Sequence, residues 1–302
     1  MSTVLSRAHW IALAAVTLIW GLNWPIMKFS LRELSPLYFR ALTMSGGTLL
    51  LVAYFGWRGT TLRLPRSEMP LVLRLALPNI VAWHLFSILG VQALASGRAA
   101  ILGFTMPIWT VLLGALLYGA RLTRRVLLGT VLAALAIGLL IGNEFSSLAG
   151  RPLGVAWMQV AAIGWALGTI GIQRAQTTLN TEALTVWMMA LGSLVFWLLA
   201  ACFEPWPSWR FSAPMWIALA WGTAVNYGVA QIFWFGLVRA LPATASAFSI
   251  MTVPLIGIFS AALIVGEVPH ALDLVAAACI IAALAVVLLS GSVVATSKAQ
   301  DR

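Results

Sequence analysis

A stripe of polar and aromatic side chains runs through the otherwise apolar stretch 213–238. Tyr227, Gln231 and Trp234 follow one another at i, i+4 and i+7, so a helix places them on one face, with Asn226 beside them. Hydroxyl and amide groups donate and accept hydrogen bonds, and an indole ring offers a flat apolar wall. This combination favours the binding of a small polar or aromatic molecule.

A second apolar stretch, 70–94, carries a corresponding stripe. His84 shares a helical face with Ser87, and Asn79 and Trp83 lie alongside. We interpret the two stripes as facing walls of one central cavity; the alternative is that they join helices without binding a ligand. For His84, three roles are open: a hydrogen bond to a backbone carbonyl, a substrate contact and proton sensing.

The composition places the chain in a membrane. Residues of the set AVILMFWYC make up 62%, charged residues only 9%, and the mean hydropathy is +0.98. A soluble domain has about a quarter charged residues, so a water-soluble globule is excluded. The net charge of +10 is scattered over the connections instead of forming one basic face, which argues against nucleic-acid binding.

Ten apolar stretches are long enough to cross a bilayer as helices, which need about 20 residues each. They cover 9–28, 36–57, 70–94, 97–119, 124–143, 152–173, 181–202, 213–238, 242–265 and 270–291. The first is predicted to be a retained helix, because its apolar run continues past the small residues of a possible cleavage site at 12–14. The expected fold is an all-α integral membrane protein.

The Lys and Arg side chains predict the orientation of these spans. Twelve lie at the two termini and in the connections on their side of the membrane, and six lie on the other side. Cytoplasmic connections carry the excess of Lys and Arg. Both termini are therefore expected in the cytoplasm.

The chain contains an internal repeat of five predicted helices. A shift of 147 residues aligns Asn79 with Asn226, His84 with Gln231, Thr105 with Thr252, Pro107 with Pro254 and Gly119 with Gly266. A shift of 145 aligns Trp20 with Trp165. Residues 1–147 and 148–302 are thus predicted to be two repeats, the second inverted relative to the first because five is odd. Chance matching of small apolar residues is the alternative.

These features resemble a known family. Ten helices arranged five plus five, the sequence Trp20-Gly21-Leu22, the proline-containing fourth and ninth spans and the Gly266-Glu267 pair resemble the EamA-type branch of the drug/metabolite transporter superfamily. Within it, the likeness is greatest to bacterial aromatic amino-acid exporters of the YddG type. The resemblance implies a multi-pass carrier in the bacterial cytoplasmic (inner) membrane. One departure is that Gly119 is followed by no carboxylate.

Two further pairs of residues that match across the repeat are candidates for function. Trp20 and Trp165 lie away from the ends of their spans, and we interpret them as cavity walls. Pro107 and Pro254 lie in mid-span, where each removes a backbone hydrogen bond. We interpret these prolines as hinges of alternating access; a static packing kink is equally open.

Charged side chains are expected outside the cavity. No carboxylate lies at the centre of a span, and Arg40 and Arg98 are expected to reach the membrane surface from nearby span ends. A neutral cavity suits substrates of zero net charge, such as zwitterionic amino acids. No His, Cys, Asp or Glu spacing predicts a metal site, and no phosphate-binding or nucleophile motif is present, so no cofactor is implied.

The sequence therefore predicts a carrier and not an enzyme. It is expected to export neutral, chiefly aromatic, amino acids and related metabolites by alternating access and facilitated diffusion, as a monomer in the lipid bilayer. Three alternatives are open: a proton-coupled drug or metabolite efflux carrier with His84 as the titrating group, a passive channel or receptor, and an intramembrane enzyme using Ser87 or Ser249.

Overall fold

The computed structural model describes residues 7–119, 122–146, 151–240 and 243–288. In this part of the chain there are helices and no strands, which confirms the all-α prediction. Ten helical segments follow one another, and we number them α1 (Arg7–Ser30), α2 (Pro36–Trp57), α3 (Arg66–Ala93), α4 (Ser96–Tyr118), α5 (Arg124–Ser146), α6 (Pro152–Arg174), α7 (Thr181–Phe203), α8 (213–240), α9 (Ala243–Ile264) and α10 (Ala271–Leu288).

Five helices of the described part are long and apolar enough to cross a membrane. They comprise most of α1 and all of α3, α4, α6 and α7. In α9 and α10 the apolar helices are shorter, Thr252–Ile264 and Ala271–Val286. The ten helical segments lie where the sequence predicts them, while the count of ten membrane spans stays a prediction.

The helix ends follow from local sequence. Asn180 and Ser212 accept hydrogen bonds from backbone N–H groups in the first turns of α7 and α8, so they act as N-caps. Gly119 and Gly266 end α4 and α9 with φ of 67° and 75°, a left-handed conformation that favours glycine. These two glycines correspond in the repeat, so both proline-containing helices end in the same way.

Three glutamates of the connections bind the start of another helix. Glu204 accepts hydrogen bonds from the Ser35 hydroxyl (2.6 Å) and the Leu37 N–H (2.9 Å) at the start of α2. Glu33 accepts from Ser212 at α8, and Glu267 from Ser96 at α4. A helix N-terminus attracts negative charge. We call the end of the bundle where these three residues lie the carboxylate end.

One of these contacts has a counterpart in the other half with donor and acceptor exchanged. At the carboxylate end, Glu33 of the α1–α2 connection binds Ser212 before α8. At the opposite end, Thr178 of the α6–α7 connection donates to Glu68 at the start of α3. Thr178 is 145 residues after Glu33, the shift already found in the sequence.

The packing of the helices follows the same pairing. The helix α1 packs along α9 and α8, and its counterpart α6 packs along α4 and α3. Two further pairs, α2 with α7 and α5 with α10, join one helix to its own counterpart. These contacts support an internal repeat; the opposite orientation of its two copies in the bilayer stays a prediction.

Candidate functional site

Both helices that carry the polar stripes contain a widened, π-helical segment. It covers Leu77–Ala82 in α3 and Trp221–Val229 in α8, at corresponding places in the repeat. Pro78 lacks an N–H donor and disturbs the hydrogen-bond ladder of α3 at this point. Such segments re-aim side chains and are frequent at functional sites.

Arg40 lies inside the bundle, contrary to the sequence prediction. It is 4% exposed and donates hydrogen bonds through Nη1 to the Tyr227 hydroxyl (3.1 Å) and through Nη2 to the Ser87 hydroxyl (3.0 Å). The expectation that it reaches the membrane surface is wrong, because the face of α2 that carries it packs against α3 and α8. Arg40 therefore joins three helices drawn from both repeats.

Arg98 does not extend to the surface either. Its Nε lies 2.7 Å from the Asp273 carboxylate, and both side chains are largely buried between α4 and α10. Since Asp273 also accepts from the His270 N–H, the pair fixes the start of α10. Asp273 lies in the first turn of α10 and therefore not at the centre of a predicted span.

His84 lies beside Tyr227 at the same junction. Its Nδ1 lies 2.8 Å from the Ile80 carbonyl oxygen, so Nδ1 carries a proton and donates it in this hydrogen bond. The rings of His84 and Tyr227 are 5.6 Å apart between centroids. We call Arg40, Ser87, His84 and Tyr227 the Arg40 cluster. The carbonyl contact expected as one role of His84 is present, and its other two proposed roles are untested.

Four tryptophan rings form two pairs, each of which joins one repeat to the other. Trp20 of α1 lies 5.0 Å from Trp234 of α8, and Trp165 of α6 lies 5.1 Å from Trp83 of α3, measured between ring centroids. Trp24 extends the second pair, with its ring 6.4 Å from that of Trp83. Trp20 and Trp165, which match across the repeat, thus each contact a tryptophan of α8 or α3, although Trp234 and Trp83 themselves lie at different positions of the repeat.

The other predicted binding residues are more dispersed. Asn79 is buried where α3 contacts α6. A Cβ added at Gly168 of α6 would lie 2.6 Å from the Cβ of Asn79, so the two helices are close together at this point. This close packing is what polar residues that join helices produce. Asn226 is buried in the widened part of α8, and Gln231 is half-buried one turn beyond Tyr227. Asn226 and Gln231 lie on either side of Tyr227 along α8, and their contact with substrate stays a prediction.

The two predicted hinge prolines have different surroundings. The helix α4 is interrupted at Phe104-Thr105, and Pro107 lies in the first turn of its second part, Met106–Tyr118. Pro254 lies inside the continuous helix α9. The interruption gives the fourth helix a joint at Pro107 that α9 does not have at Pro254.

Gln159 is a half-buried polar residue that the sequence interpretation missed. Its Oε1 accepts hydrogen bonds from Trp109 Nε1 (2.9 Å) and the Thr105 hydroxyl (3.3 Å), directly at the interruption of α4. Its Nε2 is buried without a hydrogen-bond partner. A lone glutamine inside an apolar span was the available signal.

A cavity of about 190 Å³ opens at the carboxylate end, away from the Arg40 cluster. Its lining residues are Lys28, Leu31, Arg32, Gln92, Val265 and Glu267. The Lys28 ammonium donates to the carbonyl oxygens of Val91 (2.8 Å) and Leu94 (2.8 Å) and so caps the end of α3. Lys28 and Glu267 thereby tie α1 and α9 to the α3–α4 connection.

Comparisons with known proteins agree on one kind of protein. The sequence profile of the EamA-like transporter family matches the chain twice, at residues 8–142 and 152–289. The "Uncharacterized transporter YoaV" of Bacillus subtilis (strain 168) is 21% identical over 252 residues, covering 82% of this chain and 86% of that protein.

Two relatives carry a more specific name, "Probable amino-acid metabolite efflux pump". The Escherichia coli (strain K12) protein is 24% identical over 279 residues, covering 87% of this chain and 89% of its own length. The Salmonella typhimurium protein is 26% identical over 299 residues, covering 93% and 94%. A crystal structure superposes with a TM-score of 0.66 at 20% identity over 94% of this chain and 98% of that one, which supports the fold alone.

Proposed function

The chain belongs to the EamA-like transporter family of multi-pass membrane transporters, and on that premise we propose that it carries neutral, chiefly aromatic, amino acids out of the bacterial cytoplasm. It does so by alternating access in the inner membrane, with both termini in the cytoplasm. The protein performs no covalent chemistry on its substrate.

The observation that carries this proposal is the Arg40 cluster between α2, α3 and α8, together with the paired tryptophans that α3 and α8 also carry, Trp83 and Trp234. Hydrogen-bonding groups of α2, α3 and α8 meet at Arg40. Trp83, which directly precedes His84 in the chain, contacts Trp165 of α6. An amino acid needs polar partners for its ammonium and carboxylate groups. An aromatic side chain gains about 0.5–1.5 kcal/mol from ring contacts beyond its burial.

The arrangement also supports uncoupled transport. In the described part of the chain, Glu33, Glu204, Glu267 and Asp273 are engaged at helix ends and do not reach the Arg40 cluster. A carrier that exchanges substrate for protons generally needs a buried group that changes its charge. His84 is the candidate at this cluster, and it defines the competing function of proton-coupled efflux.

Purified protein in liposomes should let labelled phenylalanine enter only until its inner and outer concentrations are equal, with no dependence on a pH gradient. The reason is that substrate binding alone drives the change of state. His84→Ala should lower the rate without changing this endpoint. Accumulation above equilibrium under an imposed pH gradient, abolished in His84→Ala, would establish the coupled mechanism instead.

Gln231→Ala and Asn226→Ala should each reduce phenylalanine flux by about five- to tenfold, since each removes an amide worth roughly 1 kcal/mol in hydrogen bonding. Flux is measured per amount of protein in the membrane, so that a loss of abundance is separated from a loss of transport. Gln173→Ala, at an exposed position of α6, is the matched control and should transport normally. Normal flux in both test variants would show that the two amides of α8 do not bind the substrate.

A cysteine at Arg124, an exposed residue at the start of α5, tests the orientation. We expect Arg124→Cys to react with a membrane-impermeant maleimide only after the cytoplasmic face is opened, because its connection belongs to the more basic side. The background should be Cys202→Ala, Cys279→Ala, since both native cysteines are free and Cys202 is exposed. Labelling of intact cells from the periplasm would invert the topology.

A further inference from the structure

Arg40 is a positive charge buried within the bundle, and neither of its hydrogen-bond partners is an anion. Its side chain is buried, both of its hydrogen-bond partners are neutral hydroxyls, and its Nε is buried without a partner. Ser87 lies six residues before the end of α3, which places the contact roughly 9 Å inside that helix end. A guanidinium at such a depth is costly unless an anion accompanies it.

The nearby carboxylates are committed elsewhere. Of the glutamates at the carboxylate end, Glu204 binds the start of α2, Glu33 the start of α8 and Glu267 the start of α4. Each already accepts hydrogen bonds from a helix N-terminus, the environment that a carboxylate favours. These three glutamates therefore leave the positive charge of Arg40 to another partner.

We propose that Arg40 is the binding site for the carboxylate group of the transported molecule. This inference rests on the proposed function and deepens it, because it names the chemical group that the site reads. A guanidinium has five N–H donors in a planar fork that matches a carboxylate, and the hydroxyls of Tyr227 and Ser87 take up two of them. These hydroxyls hold the guanidinium in place while no substrate is bound.

The same geometry links binding to movement. Tyr227 belongs to the widened part of α8 and Ser87 to α3, so both helices are attached to α2 through one guanidinium. A carboxylate bound end-on to the guanidinium uses Nη1 and Nη2, the same two nitrogens that hold the Tyr227 and Ser87 hydroxyls, and so weakens both attachments. Substrate binding thus loosens the contact between α2, α3 and α8, which contains helices of both repeats.

Thermal unfolding of the purified protein in detergent tests the anion site with one simple probe. This probe is phenylacetate, which carries the carboxylate and ring of phenylalanine without its ammonium group. We expect phenylacetate to stabilise the wild type, and Arg40→Gln to bind it at least tenfold more weakly, as loss of a charge-assisted hydrogen bond predicts. Arg210→Gln, at an exposed arginine, is the matched control and should respond like the wild type.

Two milder variants keep the test valid if Arg40→Gln does not fold. Arg40→Lys retains the charge but loses the fork, so phenylacetate should bind with intermediate affinity. Tyr227→Phe removes a competitor and leaves Arg40 in place, so phenylacetate should bind at least as tightly as to the wild type. Equal binding in wild type and Arg40→Gln, no binding to the wild type, or loss of binding in Tyr227→Phe would each overturn the proposal.

Phenylalanine flux separates this inference from the proposed function. Saturable flux in the wild type that persists in Arg40→Gln would refute the carboxylate site and leave the amino-acid carrier standing. Phenylacetate binding that depends on Arg40, without phenylalanine flux in the wild type, would establish the anion site and refute the amino-acid carrier.

Discussion

Gly47→Ala should strongly impair both folding and transport, because α2 and α8 touch at this glycine. A Cβ added to Gly47 would overlap the Cβ of Tyr227 and lie 3.3 Å from the backbone oxygen of Thr223. Backbone contact of this kind cannot be relieved by turning a flexible side chain. We expect a loss of about 1–3 kcal/mol in stability, read as a lower melting temperature in detergent. Displacement of Tyr227 should also cut flux by roughly tenfold or more.

The same helix supplies the control for this prediction. A Cβ added at Gly56 would have no atom within 4 Å, so Gly56→Ala changes the same residue type in α2 without a clash. It should leave flux unchanged and raise stability slightly, by up to about 1 kcal/mol, because alanine is the better helix former. Equal effects of the two substitutions would mean that α2 and α8 are not in close contact.

Arg40→Met should abolish transport while preserving or raising the melting temperature. A buried charge with neutral partners costs stability, and its replacement by an apolar side chain of similar length removes that cost. The Tyr227 and Ser87 hydroxyls lose their donor at the same time, at a cost of about 1–3 kcal/mol, so the net gain in stability is small. Flux of phenylalanine should fall by about 100-fold, since the group that we propose to bind its carboxylate is gone.

Loss of stability without loss of transport would mean that Arg40 has a purely structural role. If Arg40→Met unfolds while flux per folded molecule stays near that of the wild type, the guanidinium joins helices and does nothing else. Arg210→Met serves as the control for loss of an exposed positive charge and should change neither quantity. Gain of stability with loss of function is common at binding sites, where residues are selected for recognition.

Local sequence signals were sufficient to predict the helices and some of the contacts around the candidate site. The stripe spacing predicted that His84 and Tyr227 face inward, and their rings do lie side by side. The match of Trp20 with Trp165 predicted equivalent positions, and each ring has a tryptophan partner. Both predictions rest on periodicity and repetition, which are properties of the chain itself.

The missed features depend on how helices face one another. Arg40 is only five residues into α2, and closeness to the helix end suggested exposure at the membrane surface. Arg40 is buried because the face of α2 that carries it packs against α3 and α8, and the distance of a residue from the helix end does not show which way its face points. For the same reason Pro107 and Pro254, alike in sequence, differ in structure: Pro107 adjoins an interruption that involves Gln159, whereas α9 continues through Pro254.

The most direct test is a crystal structure of the protein with bound 4-iodo-L-phenylalanine, in which the iodine is located by its anomalous scattering. We predict the amino acid at the meeting point of α2, α3 and α8, with its carboxylate hydrogen-bonded to Arg40 and its ring beside the tryptophan pairs. A molecule seated instead in the cavity beside Lys28, or density with the carboxylate directed away from Arg40, would contradict it.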